Sequence, residues 1–159
     1  MSVPSASLLD PRRTVRELRE LQMLTGDSRG AQRVAFTRPW AEAREWLRAK
    51  VDDLPVTWEM DEALNVWITL RGRSQRELIL GSHLDSVPDG GWLDGCLGVL
   101  AGLEVLRRLA RQGTPPVTVR LVDWTDEEGA RFGRSLFGSS ASCGTLDVED
   151  VRYLRDAQG

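Results

Sequence analysis

The alternation of apolar and polar residues along the chain predicts a mixture of strands and helices. Apolar residues alternate with other residues from Leu64 to Leu70, a period of two that is typical of a half-buried strand, and Val56–Met60 is its possible partner. The continuous apolar run within Glu77–Gly81, and a second within Val117–Trp124, predict two buried strands. Helices are predicted where apolar residues recur every three or four positions, at about 14–26, 37–51 and 94–112, with a shorter one at 136–143.

The order of these elements predicts the fold class. The helix at 94–112 lies between the two apolar strands, and such a strand–helix–strand unit forms a right-handed parallel pair. We therefore expect an α/β domain with a mostly parallel central sheet. Residues 1–13 carry little pattern and are predicted to be an N-terminal arm, while residues 14–159 form one domain whose last segment, 147–159, shows no periodicity.

Composition and charge exclude several classes of protein. The chain has 159 residues and a net charge of −3, which gives no electrostatic reason to expect nucleic acid or an anionic membrane as partner. Cys96 and Cys143 form no CxxC motif and are expected to be free thiols in a reducing compartment. Without a signal-peptide pattern or a membrane-length apolar run, the cytoplasm is the expected location.

Polar side chains that suit a metal site follow both apolar strands. His83, Asp85 and Asp94 come after the first strand, and Glu127 and Glu128 come after the second. The carboxyl ends of parallel strands meet at one edge of a sheet, where ligands commonly bind. Histidine and carboxylates are the ligands that zinc and similar ions prefer. The two strand ends are therefore predicted to converge on one metal site.

The spacing of these residues predicts individual roles. Asp85 is two positions after His83, so on an extended chain it points the same way and can fix the imidazole tautomer. Asp94, at the start of a helix, has two free oxygens that could bridge two ions. On an extended segment the adjacent Glu127 and Glu128 diverge, so one can bind metal while the other acts as general base.

Each of these residues also has an ordinary structural interpretation. A single histidine beside a strand is often structural, an Asp-Gly pair is often a turn or helix cap, and a Glu-Glu pair is usually solvated surface. A Ser-His-Asp triad finds no support, since His83 is the only histidine and serves the other cluster. The residue pattern alone leaves both a metal hydrolase and a purely structural interpretation open.

Two long motifs carry a resemblance to a known family. GSHLDSVPDGGWLDGCLGVLAGLEVL, followed by VDWTDEEGARFGRSLFGSSASCG, resembles the hydantoinase/carbamoylase amidase branch of the M20 metallopeptidases. The similarity extends more weakly to Arg33–Phe36 and Asp61–Asn65, and Leu64 stands where the family usually has glycine. The resemblance implies a zinc-peptidase-like catalytic domain with three layers, αβα.

The resemblance also implies roles for the candidate residues. His83 corresponds to a ligand of the first ion, Asp94 to the bridging carboxylate, Glu128 to a ligand of the second ion, and Asp85 to the residue that orients His83. Glu127 corresponds to the general base that activates a metal-bridging water. Family members use two divalent ions, zinc, manganese, cobalt or nickel, and hydrolyse the carbamoyl amide of N-carbamoyl-L-amino acids or related ureido acids.

Family members also contain parts that this sequence lacks. They contribute two further histidine ligands downstream and an inserted lid domain that binds the substrate carboxylate and forms the homodimer. Here His83 and Asp94 would hold one ion and Asp94 and Glu128 the other, fewer than the three protein ligands typical of catalytic zinc. We therefore expect the N-terminal part of such an enzyme, inactive by itself. An allantoate amidohydrolase, or a non-catalytic remnant, is the alternative.

Overall fold

Four strands form one mixed sheet in the computed structural model, which describes residues 9–156. The strands follow the spatial order β1-β2-β4-β3, and only the β3–β4 pairing is parallel, while the other two are antiparallel. Their bounds are β1 Thr57–Met60, β2 Val66–Leu70, β3 Glu77–Ser82 and β4 Thr118–Asp123.

The α/β class is confirmed, but the described sheet is mixed rather than mostly parallel. A short turn joins β1 to β2, and a tight connection between neighbouring strands makes them antiparallel. Only the crossover from β3 to β4 contains a helix long enough to return the chain in the same direction. The predicted parallel strand–helix–strand unit is therefore present, within a sheet of mixed direction.

The helices match the predicted positions with two corrections. The first helix begins at Pro11 instead of Thr14, because the Asp10 side chain accepts a hydrogen bond from the Arg13 N–H and caps it. Part of the predicted arm is thus helical, and its residues 1–8 lie outside the described residues. A short helix also occurs in the tail that showed no periodicity. The helices are α1 Pro11–Thr25, α2 Arg38–Ala49, α3 Cys96–Arg111, α4 Phe137–Ser142 and α5 Val148–Arg152.

The core lies between the sheet and helices α1, α2 and α3. Val66, Ile68 and Leu70 of β2 point into this core, together with apolar residues of the three helices. The alternate β2 residues lie on the other face, where Trp67 is only 8% exposed, with the Trp124 ring 5.3 Å away and Arg120 stacked over it. Strand β2 is therefore buried on both faces, not half-buried as predicted. None of the helices within 9–156 has the length and apolar character needed to cross a membrane.

Helix α3 packs closely on the parallel strands, and two glycines permit this. A Cβ atom added to Gly102 would lie 2.7 Å from Leu121 Cδ1, and one added to Gly98 would lie 2.7 Å from Ser82 Cβ. Both distances are shorter than real side-chain contacts allow, so larger residues would push the helix away. The close approach fixes the start of α3 beside the end of β3.

Strand β3 is an edge strand with exposed apolar side chains. Leu78 and Ile79 are each 49% exposed, although their continuous apolar run predicted a buried strand. Among the described residues β3 pairs with β4 alone, so its outer edge is unpaired. The prediction that β3 is a buried strand is therefore wrong for the described residues.

The turn before β2 contains Leu64, the residue at which the sequence departs from the family pattern. Leu64 has φ = +63°, the left-handed conformation that glycine adopts most easily. The Asp61 carboxylate fixes the turn by accepting hydrogen bonds from the Ala63 and Asn65 N–H groups. Leucine at this position therefore adds backbone strain to a turn that glycine would form without it.

We predict that Leu64→Gly is more stable than Leu64→Ala by about 1 kcal/mol, because only alanine retains the Cβ atom that disfavours the left-handed conformation. Urea unfolding of the two variants measures this difference. The two variants share the loss of the leucine side chain, so the comparison isolates the backbone. Equal stability would show that Leu64 is not strained.

We also predict that the exposed edge makes the chain self-associate. Ile79→Lys should reduce this association, because a lysine on an edge strand disfavours pairing with another strand. Sedimentation velocity over a range of protein concentrations measures the effect. Val148→Lys is the control, since Val148 is 58% exposed but lies on helix α5 and not on β3. Equal effects of both substitutions would rule out pairing through β3.

Candidate functional site

The candidate site lies at the carboxyl ends of the parallel pair β3 and β4. Ser82 and Asp123 are the last paired residues, and the Trp124 N–H donates to the Ser82 carbonyl at 2.8 Å. His83 follows β3 directly, and the segment containing Glu127 and Glu128 follows β4. The structure brings the two clusters together, with 3.5 Å between His83 Nε2 and Glu127 Oε2.

The His83 ring is held by Asp85. His83 is 6% exposed, and its Nδ1 lies 3.0 Å from the Asp85 backbone carbonyl and 3.4 Å from the Asp85 carboxylate oxygen Oδ1. A proton on Nδ1 can be donated to the carbonyl, which leaves Nε2 directed toward Glu127 as the nitrogen available for a ligand. Both the main-chain carbonyl and the carboxylate of Asp85 therefore lie close enough to Nδ1 for the predicted orienting role.

The Asp85 carboxylate also fixes the Glu127–Glu128 segment. Its two oxygens accept hydrogen bonds from the Glu127 N–H at 3.2 Å and the Glu128 N–H at 3.1 Å. The segment is a turn, with φ = +49° at the preceding Asp126, and not the extended chain we expected. Because of this turn, the positions of the two glutamates depend on Asp85.

The charges of the site favour a cation. Burial by itself would lower the pKa of His83, but hydrogen bonding and charge from Asp85, together with the charge of Glu127, raise it to about 9. Burial raises the pKa of Glu128, and the negative charges of Asp94, Glu127 and Asp85 add to this effect, with His83 opposing it. The carboxylates outnumber the single histidine, so a bound cation would offset their repulsion.

Asp94 stands beside this cluster because of the glycine that follows it. Gly95 has φ = +62°, and a Cβ atom there would lie 2.6 Å from the His83 ring. Only glycine lets the first turn of α3 pack against the imidazole in this way. Asp94 is exposed, and its charge reaches Glu128, whose pKa it helps to raise.

The donor types fit a divalent ion, but the described set is a partial one. Among residues 9–156 no group of three or more His, Cys, Asp or Glu side chains is arranged to hold a metal ion. His83, Asp94 and Glu128 supply one imidazole and two carboxylates, which suit zinc, manganese, cobalt or nickel in type. They do not supply the three ligands per ion of a typical catalytic zinc site.

Three buried charged residues support the site and were missed in the sequence. Asp123 accepts from the Leu84 N–H at 2.7 Å and from Arg44 Nε at 2.7 Å, and Arg33 Nε donates to the Leu84 carbonyl at 2.8 Å. A charged residue at the end of an apolar strand was a signal for Asp123, since a buried charge needs a partner. Arg44 shares a helix face with apolar residues, a weaker signal, and the sequence near Arg33 indicates no role for its side chain.

Comparisons with known proteins identify relatives of this chain. The model of Peptidase family M28 matches residues 65–154. An N-carbamoyl-L-amino acid amidohydrolase of Geobacillus stearothermophilus is 38% identical over 137 residues, which are 83% of this chain and 33% of the relative. An allantoate amidohydrolase of Bacillus subtilis is 31% identical over 133 residues, 82% of this chain and 32% of the relative.

Solved structures show the same fold. A hydantoinase/carbamoylase family amidase from Burkholderia ambifaria superposes with a TM-score of 0.89 and 34% identity, over 97% of this chain and 39% of that chain. This chain spans about a third of the length of the curated relatives it matches. The resemblance to hydantoinase/carbamoylase amidases is confirmed by these matches. Because the family model matches more than half of the sequence, the chain belongs to Peptidase family M28.

Proposed function

We propose that this chain is the part of a binuclear-metal amidohydrolase that carries the general base and part of the metal site. The substrate class is N-carbamoyl-L-amino acids or related ureido acids, and the bond cleaved is the carbamoyl C–N bond. The observation that carries the proposal is the distance of 3.5 Å between His83 Nε2 and Glu127 Oε2. Asp85 supports this placement, because its carbonyl lies at hydrogen-bond distance from the His83 ring and its carboxylate accepts from the Glu127 N–H. The names of the relatives support the same substrate class.

The proposed ligands divide between two divalent ions. His83 and Asp94 would hold the first ion, and Asp94 and Glu128 the second, while two further ligands would come from outside this chain. Zinc, manganese, cobalt or nickel, when bound, would polarise the substrate carbonyl and lower the pKa of water. The surplus of carboxylates over histidine at the site supports this assignment.

Glu127 is the proposed general base. Its side chain is 31% exposed, so water and substrate can reach the carboxylate, while Asp85 holds its main chain. Glu127 would take a proton from the attacking water and deliver it to the nitrogen that leaves when the C–N bond breaks. Glu128 is less suited to this role, because it is the proposed metal ligand and its carboxylate is then engaged.

Two alternatives rest on specific observations. The 31% identity to an allantoate amidohydrolase favours allantoate, itself a ureido acid, as the substrate of the whole protein. The partial ligand set within residues 9–156 favours a remnant without catalysis. Ammonia release from a panel of N-carbamoyl amino acids, allantoate and dipeptides distinguishes the substrates, and turnover of dipeptides alone would contradict the carbamoyl assignment.

Separate substitutions of the two glutamates test their roles. The substitutions are made in a chimera, in which residues 9–156 of this chain replace the matching segment of the Geobacillus amidohydrolase. Glu127→Gln should lower turnover by roughly 10²–10⁴-fold with both ions still bound, because an amide cannot accept the proton. Glu128→Gln should lose one ion. Ammonia release and metal analysis measure both effects, with the exposed Glu62→Gln as control.

If Glu127→Gln lost an ion and Glu128→Gln kept both, the assignment of the two glutamates would be reversed.

The chain by itself, supplied with zinc or manganese, should release no ammonia, because each ion then has only two protein ligands. Turnover by the chain alone that is lost in Glu127→Ala would show that further ligands are dispensable.

The pH dependence of the metal-free chain tests the charge distribution. His83 should titrate near pH 9, well above the ordinary value of about 6.5, because Asp85 stabilises the protonated ring. A raised folded-state pKa contributes stability that is complete below pH ~6.5 and is lost as the pH rises through about 9. The ring resonances of this single histidine, and urea midpoints at pH 6 and 9.5, measure both effects. Asp85→Asn should bring the pKa down, and an unchanged pKa would contradict the role of its charge.

A further inference from the structure

Arg33 is completely buried, yet none of its side-chain acceptors is a carboxylate. Its Nε donates to the Leu84 carbonyl at 2.8 Å, one terminal nitrogen to Thr25 Oγ1 at 3.3 Å, and the other to Cys96 Sγ at 2.9 Å. A buried guanidinium whose hydrogen-bond acceptors are a carbonyl, a hydroxyl and a sulfur, with no carboxylate among them, is costly, which calls for a specific reason to keep it.

The three acceptors belong to three different parts of the fold. Thr25 is the last residue of α1, Leu84 lies in the loop after β3, and Cys96 is the first residue of α3. The planar guanidinium carries its donors in fixed directions, so it sets the relative positions of these segments. A flexible single-point donor could not do this to the same extent.

The main chain of Arg33 adds two further bonds to the same loop. Its N–H donates to Ser86 Oγ at 3.0 Å, and its carbonyl accepts from the Ser86 N–H at 3.0 Å. Arg33 thus binds the residues on both sides of Asp85, and Leu84 directly follows His83. The loop that carries His83 and Asp85 is attached to this one arginine at three points.

The contact with Cys96 links this loop to Asp94. Cys96 follows Gly95, whose backbone packs against the His83 ring, and Asp94 precedes that glycine. Arg33 therefore contacts both the His83 loop and the first turn of the helix beside Asp94. The distance between the imidazole and the Asp94 carboxylate depends on how these two segments are held together.

We propose that Arg33 is a positioning residue that sets the separation of His83 and Asp94 and thereby the affinity of this pair for a divalent cation. The proposal rests on the metal-binding role proposed above. The direction in which loss of Arg33 changes cation affinity distinguishes this positioning role from a purely electrostatic one. Removing a positive charge near a cation site would strengthen cation binding, whereas losing the arrangement of the two ligands would weaken it.

The test compares two buried arginines in the full chain. Arg33→Met removes the donors and the charge. Arg33→Lys keeps the charge but not the planar fork, and it remains informative where the methionine variant does not fold. Arg107→Met is the matched control, because Arg107 is also buried but pairs with Glu17, between α3 and α1. Calorimetric titration with Co²⁺ measures affinity, and NMR of the metal-free chain reports the His83 ring and the exchange of the Ser86 amide.

We expect Arg33→Met to weaken Co²⁺ binding by about 10–100-fold, the usual effect of losing a group that orients a ligand. The His83 resonances should shift and the Ser86 amide should exchange faster. Arg33→Lys should recover little of the affinity, and Arg107→Met should leave affinity and His83 unchanged even where it lowers stability.

Two affinity results would overturn the proposal. Tighter Co²⁺ binding by Arg33→Met would mean that only the charge matters, and equal losses in Arg33→Met and Arg107→Met would mean a general effect of stability. Absence of Co²⁺ binding by the unmodified chain would instead contradict the proposed metal function for this chain. The metal-free NMR comparison then still decides the role of Arg33, because unchanged His83 and Ser86 signals in the Arg33 variants would refute it.

Discussion

The peptide groups of Leu84 are the point on which the site depends. The Leu84 N–H is bound by the carboxylate of Asp123, its carbonyl is bound by the guanidinium of Arg33, and its side chain lies fully in the core. Charged partners make stronger hydrogen bonds than neutral ones, and burial keeps water from competing for them. The residues on either side, His83 and Asp85, therefore leave the strand in defined directions.

The carboxylates in and around the site differ in whether a positive charge compensates them. Asp123 is buried, and burial raises its pKa, but Arg44 donates to it at 2.7 Å and keeps the carboxylate compensated. Asp94, Glu127 and Glu128 are at least partly exposed and have one histidine among them. The compensated carboxylate can hold the backbone, while the uncompensated ones are available to a cation. The same type of side chain thus has two functions, according to its depth and its partners.

The sequence was sufficient for the local features and for the two strand ends. Apolar periodicity predicted each of the longer helices, because it depends on residues near in sequence. The order of elements predicted the parallel β3–β4 pair, because a helix between two strands returns the chain in the same direction. Exposure of β3 was not predictable, since an apolar run shows that a strand is suited to burial and not whether other elements cover it. The Arg33 contacts with Leu84 and Cys96 join residues 51 and 63 positions apart, and no local pattern encodes such pairs. Leu64 is an intermediate case, where the departure from glycine was visible but its φ of +63° was not.

Asp85 determines how substitutions at this site have to be interpreted. Its carbonyl and carboxylate approach the imidazole of His83, while the same carboxylate accepts from the N–H groups of Glu127 and Glu128. A change at Asp85 therefore alters the proposed metal ligands and the proposed base together, even though neither is substituted. Loss of activity in an Asp85 variant would not measure histidine orientation alone. The contributions separate only when the His83 pKa, the metal content and the turnover are measured on the same variant, because each reports a different one of these contacts.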